Sequence, residues 1–156
     1  MSAGKRPEPF SLEICSGADG AASALLHISD AKGFRDWGSL SKGIKSLKGF
    51  EVRLNPLKKT GGFRVFSDGE SDVTYEVCGV RITSGISSFS QANLILNSRF
   101  VEAVLEYSGF KGAEMVIDLF SGSGNFTLPA AARAGSAVGV ESNSVSVGEA
   151  RENAAI

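Results

Sequence analysis

The chain of 156 residues is long enough for one ordinary domain or two small ones, and its 42% hydrophobic content is typical of a folded protein. A net charge of −1 does not, taken alone, indicate a nucleic-acid-binding protein. No apolar run approaches the roughly 18 residues of a membrane span, and the first residues, MSAGKRPEP, lack the apolar core of a signal peptide. We therefore expect no membrane association and a cytoplasmic location.

The two cysteines, Cys15 and Cys78, lie far apart, and neither belongs to a CxxC pair. They cannot form a disulfide framework or a four-cysteine metal site within this chain, and we expect both in buried strands. The only histidine, His27, lies in an apolar run with no second type of metal ligand near it in the sequence, and we interpret it as structural. The sequence therefore predicts no metal site.

The amino-terminal part predicts a small α+β domain over residues 10–84, preceded by a flexible lead-in over residues 1–9. Two short apolar strands, FSLEIC and SALLHI, flank a glycine-containing turn in the pattern of a β-hairpin. A helix is expected next, from about Asp30 to Lys48. Four further strands are then expected, in the segments FEVRL, GFRVF, VTYEVCG and VRITS.

Positive charge is concentrated between Lys32 and Arg64, where nine basic residues accompany two acidic ones. Three of the lysines, Lys42, Lys45 and Lys48, recur at every third position, which brings them near one face if the segment is helical. A solvated helix face explains this spacing, and so does a patch that contacts phosphates. The spacing alone leaves both interpretations open.

The carboxyl-terminal part, residues 85–156, alternates helical and strand patterns. A helix with an apolar stripe is expected within SQANLILNSRFVEAVLEYSGF and ends near Gly109. A buried parallel strand, EMVIDLF, precedes a helix in NFTLPAAARAG, which tolerates Pro129 in its first turn and ends at Gly135. SAVGVE predicts the next strand, and SNSVSVGEARENAAI starts another helix. This alternation predicts the first half of a doubly wound, Rossmann-like α/β domain.

A glycine pair follows the first strand of this domain. Gly122 and Gly124 permit a tight turn and the close approach of a ligand, and the next helix presents unpaired backbone N–H groups. Glu141 ends the second strand, where it can accept hydrogen bonds from ribose hydroxyls. Nicotinamide-cofactor folds share these features, but here Thr127 occupies the third glycine position and Asp118 brings an acid close to the loop. An acid suits a sulfonium ligand better than a pyrophosphate, so we expect S-adenosylmethionine.

The segment DLFSGSGNFTLP resembles the cofactor loop of the uracil-5 RNA methyltransferases, which methylate carbon 5 of specific uridines in ribosomal or transfer RNA. FSQAN, at residues 89–93, is similar to the F-x-Q-x-N motif that precedes the same helix in that family. The resemblance covers residues 85–156 well and the preceding domain only by its position and expected topology. It implies that S-adenosylmethionine is contacted by Gln91, Phe120, Asn125 and Glu141, that Asp118 shapes the loop, and that Phe89 and Gln91 lie near the target base.

The resemblance also indicates what this chain lacks. In the family, a cysteine thiolate adds to carbon 6 of the uracil and a base removes the proton from carbon 5, and both groups lie farther along the domain. This chain ends at Ile156, before those positions, and Ser121 occupies a loop position that is often cysteine in relatives. We therefore expect a truncated or internal portion of such an enzyme, with no catalytic residue in this chain and no methylation of RNA on its own.

Other interpretations remain open from the sequence. Phe89 and Phe120 could be core aromatics, Gln91 and Asn125 could cap a helix or turn, and Glu141 could be a surface acid. The chain could instead be a non-catalytic RNA-binding or partner module, or a fragment of a nicotinamide-dependent oxidoreductase. If the family resemblance holds, the partner is ribosomal or transfer RNA, the first domain lies toward the RNA, and the three lysines are candidate RNA contacts. We also expect the half-domain to expose an apolar sheet face.

Overall fold

The computed structural model describes residues 9–17, 20, 22–30, 36–55 and 62–156. The chain divides into two compact units, Met1–Val73 and Thr74–Ile156. This division lies ahead of the predicted boundary between residues 84 and 85, because the strand pair before that boundary belongs mostly to the second unit. The first eight residues of the predicted lead-in lie outside the described residues.

The first unit contains a four-stranded sheet in the order β1-β2-β3-β4, formed by Pro9–Ser16, Ala22–Ile28, Leu47–Leu54 and Phe63–Gly69. The predicted hairpin of β1 and β2 is confirmed as an antiparallel pair. Strands β2 and β3 run parallel, and β3 and β4 run antiparallel. A short helix, α1 (Trp37–Lys42), lies between β2 and β3 in the chain, as a parallel connection requires. Ile28 and Val52 are fully buried at the centre of the core.

The predicted helix from about Asp30 to Lys48 is wrong over most of its described length. Residues 31–35 lie outside the described residues, and α1 begins after Asp36, whose carboxylate accepts the backbone N–H of Ser39 at 3.1 Å. The helix ends at Lys42, and strand β3 already begins at Leu47 because it pairs with β2, far away in sequence. The three lysines therefore share no helix face. One ends α1, one lies in a turn, and one lies in β3.

The second unit begins with the hairpin of β5 (Val73–Val77) and β6 (Val80–Ser84). Its two-residue turn consists of Cys78 and Gly79, with φ of 50° and 81°, the backbone signs of a type I′ turn. Cys78 is half-buried and lies in this turn, so its predicted place in a buried strand is wrong. Cys15 lies in β1 as predicted and is also half-buried.

The rest of the second unit alternates helices and strands, as predicted. Its elements are α2 (Leu94–Ser108), β7 (Met115–Leu119), α3 (Thr127–Ala131), β8 (Ser136–Val140) and α4 (Ser144–Ala154). Strands β7 and β8 pair in parallel, with Ile117 beside Val138 and Leu119 beside Val140. None of the helices in the described part of the chain is long and apolar enough to cross a membrane.

Helix α2 ends where the sequence predicts, near Gly109, and begins after a cap that was not identified from the sequence. The side chain of Asn93 caps its first turn by accepting the N–H of Leu96 at 2.9 Å, and Gly109 ends it in a left-handed conformation with φ of 61°. The helix buries Val101 and Leu105 from its apolar stripe, and Asn97 with them.

Strand β7 differs from the buried strand that its apolar run predicts. Met115, Ile117 and Leu119 are each more than half exposed, and Val138 and Val140 of β8 lie on the same face by register. Helix α3 packs against both strands on their other face, and no other element of the described residues covers this one. An apolar sheet face is therefore exposed, as the half-domain interpretation predicts.

Helix α3 is shorter than expected and ends before Gly135. That glycine instead begins the approach to β8, where its N–H donates to the carbonyl of Glu114 at 2.9 Å. A Cβ atom there would lie 3.1 Å from the carbonyl carbon of Ala113, so the position permits close backbone packing. Pro129 lies in the first turn of α3, as predicted, and is fully buried.

Candidate cofactor site

The loop between β7 and α3 turns sharply at its first residue. The N–H groups of Phe120 and Ser121 both donate to the carbonyl of Val140, at 2.8 and 3.1 Å, which fixes the start of the loop to the end of β8. Phe120 has φ of 65°, a left-handed conformation that is unfavourable for a residue with a Cβ. The loop therefore begins with a strained residue, which is common at binding sites.

Both glycines of the loop adopt backbone conformations that favour glycine, so the predicted tight turn is confirmed. Gly122 has φ of 54° and Gly124 has φ of 100°. A Cβ at Gly122 would meet no atom within 4 Å, so only its backbone conformation restricts that position. A Cβ at Gly124 would lie 3.0 Å from side-chain carbons of Leu128, so this glycine also permits the loop to pack closely on α3.

A cavity of about 130 Å³ lies beside this loop within the second unit. Five of the predicted site residues line it, namely Phe89, Gln91, Phe120, Gly122 and Asn125. Its volume is below the roughly 300–1,000 Å³ of sites for drug-sized ligands, so a ligand of that size would fit inside it only in part. Asp118, Gly124 and Glu141 do not line it.

Two of the three phenylalanines that line the cavity are not core residues. Phe89 is 82% exposed and Phe120 is 88% exposed, which excludes the interpretation of either as a buried aromatic. Large aromatic side chains gain from burial, so two exposed rings beside one cavity indicate a surface on which a flat ligand can stack.

Glu141 anchors the glycine loop to the end of β8. One carboxylate oxygen accepts the N–H groups of Ser142 and Asn143, at 2.7 and 2.8 Å, and the other accepts the N–H of Gly122 at 3.0 Å. These backbone donors, that of Asn143 most strongly, hold the pKa of Glu141 below its ordinary value. A carboxylate has about four acceptor sites, so the oxygen that accepts from Gly122 can also accept from a ligand hydroxyl.

Asp118 and Thr127 bond to each other across the base of the loop. The hydroxyl of Thr127 donates to a carboxylate oxygen of Asp118 at 2.5 Å. This bond ties the end of β7 to the first residue of α3. Thr127, at the position of the third glycine in nicotinamide-cofactor sites, therefore helps to fix the loop.

Asn97 supports the cavity and was not identified from the sequence. Its side-chain amide and that of Asn125 donate to each other, at 2.7 and 3.0 Å, and Asn97 is 4% exposed. The pair fixes the orientation of a residue that lines the cavity. One signal in the sequence could have identified it, because Asn97 shares the i, i+4 spacing of the buried Val101 and Leu105.

Helix α4 fixes two sides of the cavity. The amide of Asn153 donates to the carbonyls of Ser123 and Thr83, both at 2.9 Å, and so joins the glycine loop to β6. Glu149 accepts the hydroxyl of Ser88 at 2.7 Å, immediately before the segment that contains the predicted substrate contacts. Neither side chain was identified from the sequence, because their partners lie about 30 to 70 residues away.

The described lining of the cavity has no charged side chain at neutral pH. Tyr75, also missed from the sequence, is 4% exposed, and its burial raises its pKa, with a hydrogen bond to Ser123 acting in the opposite direction. The sequence predicts Cys78 in the first domain, but it belongs to the second unit. Burial raises the pKa of its thiol. Its sulfur contacts the carbonyl of Ser98 at 3.8 Å.

The remaining single-residue expectations concern metal binding. His27 is buried, and its Nε2 lies 3.0 Å from a carboxylate oxygen of Glu13 in the neighbouring strand. This contact agrees with a structural role. Among the described residues, no group of three or more acidic, histidine or cysteine side chains could hold a metal ion.

A parallel strand pair, a glycine turn and a carboxylate at the end of the second strand define a Rossmann-like fold. The solved structure of Pyrococcus abyssi tRNA (uracil-54, C5)-methyltransferase in complex with S-adenosyl-L-homocysteine has the same fold, with a TM-score of 0.70. The match covers 91% of this chain and 34% of that chain, at 19% sequence identity. The predicted fold class is thus confirmed.

Sequence comparison gives the more particular result. The chain is 32% identical over 146 residues to the 23S rRNA (uracil(1939)-C(5))-methyltransferase RlmD of Alcanivorax borkumensis. The aligned region covers 92% of this chain and 32% of that protein. The chain is 44% identical over 80 residues to the enzyme of the same name from Salmonella typhi, which covers 51% of this chain and 19% of that protein. The chain thus spans about a third of these relatives or less. No protein-family model matches it. The resemblance to uracil-5 RNA methyltransferases is confirmed.

Proposed function

We propose that this chain forms the cofactor-binding part of an RNA methyltransferase that transfers a methyl group from S-adenosylmethionine to carbon 5 of a uridine. The main support is that five residues predicted from two separate sequence motifs line one cavity. The proposed substrate is ribosomal or transfer RNA, and the proposed location is the cytoplasm.

The residues around the cavity fit S-adenosylmethionine. The exposed ring of Phe120 can stack on the adenine, and Glu141 retains acceptor capacity for the ribose hydroxyls. Gln91 and Asn125 line the cavity with neutral amides, whereas Asp118, the acid that favoured a sulfonium ligand in the sequence, does not line it. When bound, the cofactor supplies the methyl group as an electrophile. The chain's own residues bind it and fix its orientation.

The target uracil is assigned to the side of the cavity formed by Phe89 and Gln91. Bases that enzymes modify are moved out of their stack, and exposed aromatic rings then hold them by stacking. Phe89 is 82% exposed beside the cavity, and Gln91 can donate to and accept from the polar edge of a base. The thiolate and the base that the reaction requires are assigned to no residue of this chain, so the proposed role is binding.

Calorimetric titration of the purified chain with S-adenosylmethionine, and separately with NADH, tests this proposal. We expect saturable binding of S-adenosylmethionine and none of NADH. Phe120→Ala should weaken the binding about tenfold, the equivalent of one aromatic contact of about 1.4 kcal/mol. Phe63→Ala is the matched control, because Phe63 is also exposed, at 76%, but lies in the first unit. Binding of NADH, or equal effects of the two substitutions, would contradict the proposal.

A further inference from the structure

Three lysines surround one cavity of the first unit. Lys42 ends α1, Lys45 lies in the following turn, and Lys48 lies in β3. All three are exposed and line a cavity of about 330 Å³. The spacing in sequence suggested a shared helix face, but the fold brings these charges together through three different pieces of backbone.

The charges around this cavity favour an anion. Asp68 is the only acidic residue of the described lining, and one of its oxygens accepts the hydroxyl of Ser41 at 2.5 Å. Three lysines and one aspartate give a formal charge of +2 at neutral pH. Such a concentration of one sign of charge in a concave surface attracts ligands of the opposite sign.

The lysines are available to a ligand. The amino group of Lys48 lies 3.2 Å from a carboxylate oxygen of Glu70, with the two side chains 41% and 80% exposed. An exposed ion pair of this kind contributes about 0–1 kcal/mol, so a phosphate can compete with it. Neither Lys42 nor Lys45 forms an ion pair with another of the described residues.

The wall of the cavity that includes Lys48 is closely packed. A Cβ at Gly69 would lie 2.1 Å from the carbonyl oxygen of Lys48, and a Cβ at Gly49 would lie 2.2 Å from that of Glu70. The ends of β3 and β4 therefore pack backbone against backbone with no room for side chains. This packing fixes the position at which Lys48 leaves the sheet.

We propose that this cavity binds phosphates of the RNA backbone, which rests on the proposed function and adds a second RNA contact to it. The cavity is larger than a single phosphate group fills and lies at the lower end of the range for small-molecule sites. Ile44, which is 53% exposed, and Leu47 line it together with the lysines and provide an apolar surface for a sugar or base. The contacts are electrostatic and independent of base sequence.

Fluorescence anisotropy with a short labelled single-stranded RNA, repeated between about 50 and 200 mM salt, tests the proposal. Each phosphate contact on a single strand contributes about 0.7 to the slope of log affinity against log salt. The triple variant Lys42→Gln, Lys45→Gln, Lys48→Gln should therefore lose about 2 from that slope. The same three positions changed to arginine should keep it, and Lys111→Gln, in the second unit, should change it little.

Glu70→Gln should change the RNA affinity in the opposite direction from the triple glutamine variant. It removes the carboxylate that competes for Lys48, so RNA should bind more tightly. An unchanged slope in the triple glutamine variant, no RNA binding by the parental chain, or weaker binding by Glu70→Gln would overturn the proposal.

Titration of the triple variant with S-adenosylmethionine separates this proposal from the proposed function. If the triple variant binds S-adenosylmethionine and keeps the parental salt dependence of RNA binding, the phosphate site is wrong and the cofactor site stands. If the triple variant loses that salt dependence and neither it nor the parental chain binds S-adenosylmethionine, the phosphate site is supported and the cofactor assignment is wrong. Circular dichroism confirms that the variants fold, as their exposed positions lead us to expect.

Discussion

The amide pair of Asn97 and Asn125 determines how firmly one side of the cofactor cavity is held. The two amides exchange two hydrogen bonds, and Asn97 is almost fully buried. A hydrogen bond between neutral groups contributes about 1 kcal/mol net, so the pair contributes about 2 kcal/mol. Changing either residue to alanine removes both bonds and leaves the other amide without its partner. We expect each single substitution to lower the free energy of unfolding by about 2–3 kcal/mol.

A double-mutant cycle isolates this contribution. The variant with both alanines should unfold only slightly more easily than either single variant, because the second substitution removes an amide that has already lost its partner. The expected coupling is about 2 kcal/mol, from urea unfolding followed by far-ultraviolet circular dichroism. Asn143→Ala is the control. It removes the cap of α4 and costs about 1 kcal/mol, and its effect should add to that of Asn97→Ala. Effects of Asn97 and Asn125 that add within about 0.5 kcal/mol would refute the reasoning.

Three further predictions concern the loop. Gly124→Ala should lower the free energy of unfolding by about 1–3 kcal/mol, because φ is 100° and the new Cβ would lie 3.0 Å from carbons of α3; Gly148→Ala, in an open helical position, should not, and urea unfolding distinguishes them. The pKa of Glu141 is lowered, so the stability that its carboxylate adds to the folded chain is complete above its ordinary pKa of 4.5 and is lost as the pH falls through the lowered value. The protonated group also accepts less well from a ligand hydroxyl. Calorimetry should therefore show cofactor affinity falling over the same pH range in the parental chain and not in Glu141→Gln. Thr127→Val should lower the melting temperature by removing the bond to Asp118, and Thr127→Ser should not; equal shifts would argue against that bond.

The glycine loop could be predicted from sequence because it is local. A strand, two glycines and a helix follow one another within about 20 residues, and each leaves a pattern in its own segment. The same holds for the end of α2 at Gly109, which was placed correctly, whereas its first cap, Asn93, was not identified. Features that depend on residues close together in the chain could therefore be predicted from the sequence.

Contacts between segments far apart in the chain could not be predicted from the sequence. The amides of Asn97 and Asn125 are 28 positions apart, and Asn153 bonds to Thr83 across 70 positions. Each of these residues could as well lie on a solvated surface when only its own helix is considered. The sequence contains the residues but not the register in which their elements meet.

The lysine segment shows how a long-range contact overrides a local pattern. Charges at every third position suit a helix, but strand β3 pairs with β2 between Leu47 and Leu54, with a register shift at Lys48, and with β4 from Gly49 onward. Strand pairing is stabilised by cross-strand contacts and by burial, neither of which appears in local spacing. Strand β7 shows the reverse error, since an apolar run predicts a buried strand whether or not the chain supplies a cover for it.

The left-handed conformation of Phe120 lowers the stability of the fold, while its exposed ring serves the proposed ligand contact. Its ring is 88% exposed and gains little from the folded state, while its backbone conformation costs roughly 1–2 kcal/mol relative to glycine. Glycine at this position would relax the loop and remove the ring in one step. Phe120→Gly should therefore raise the melting temperature and, under the proposed function, weaken the binding of S-adenosylmethionine, so selection for stability alone would remove the proposed contact.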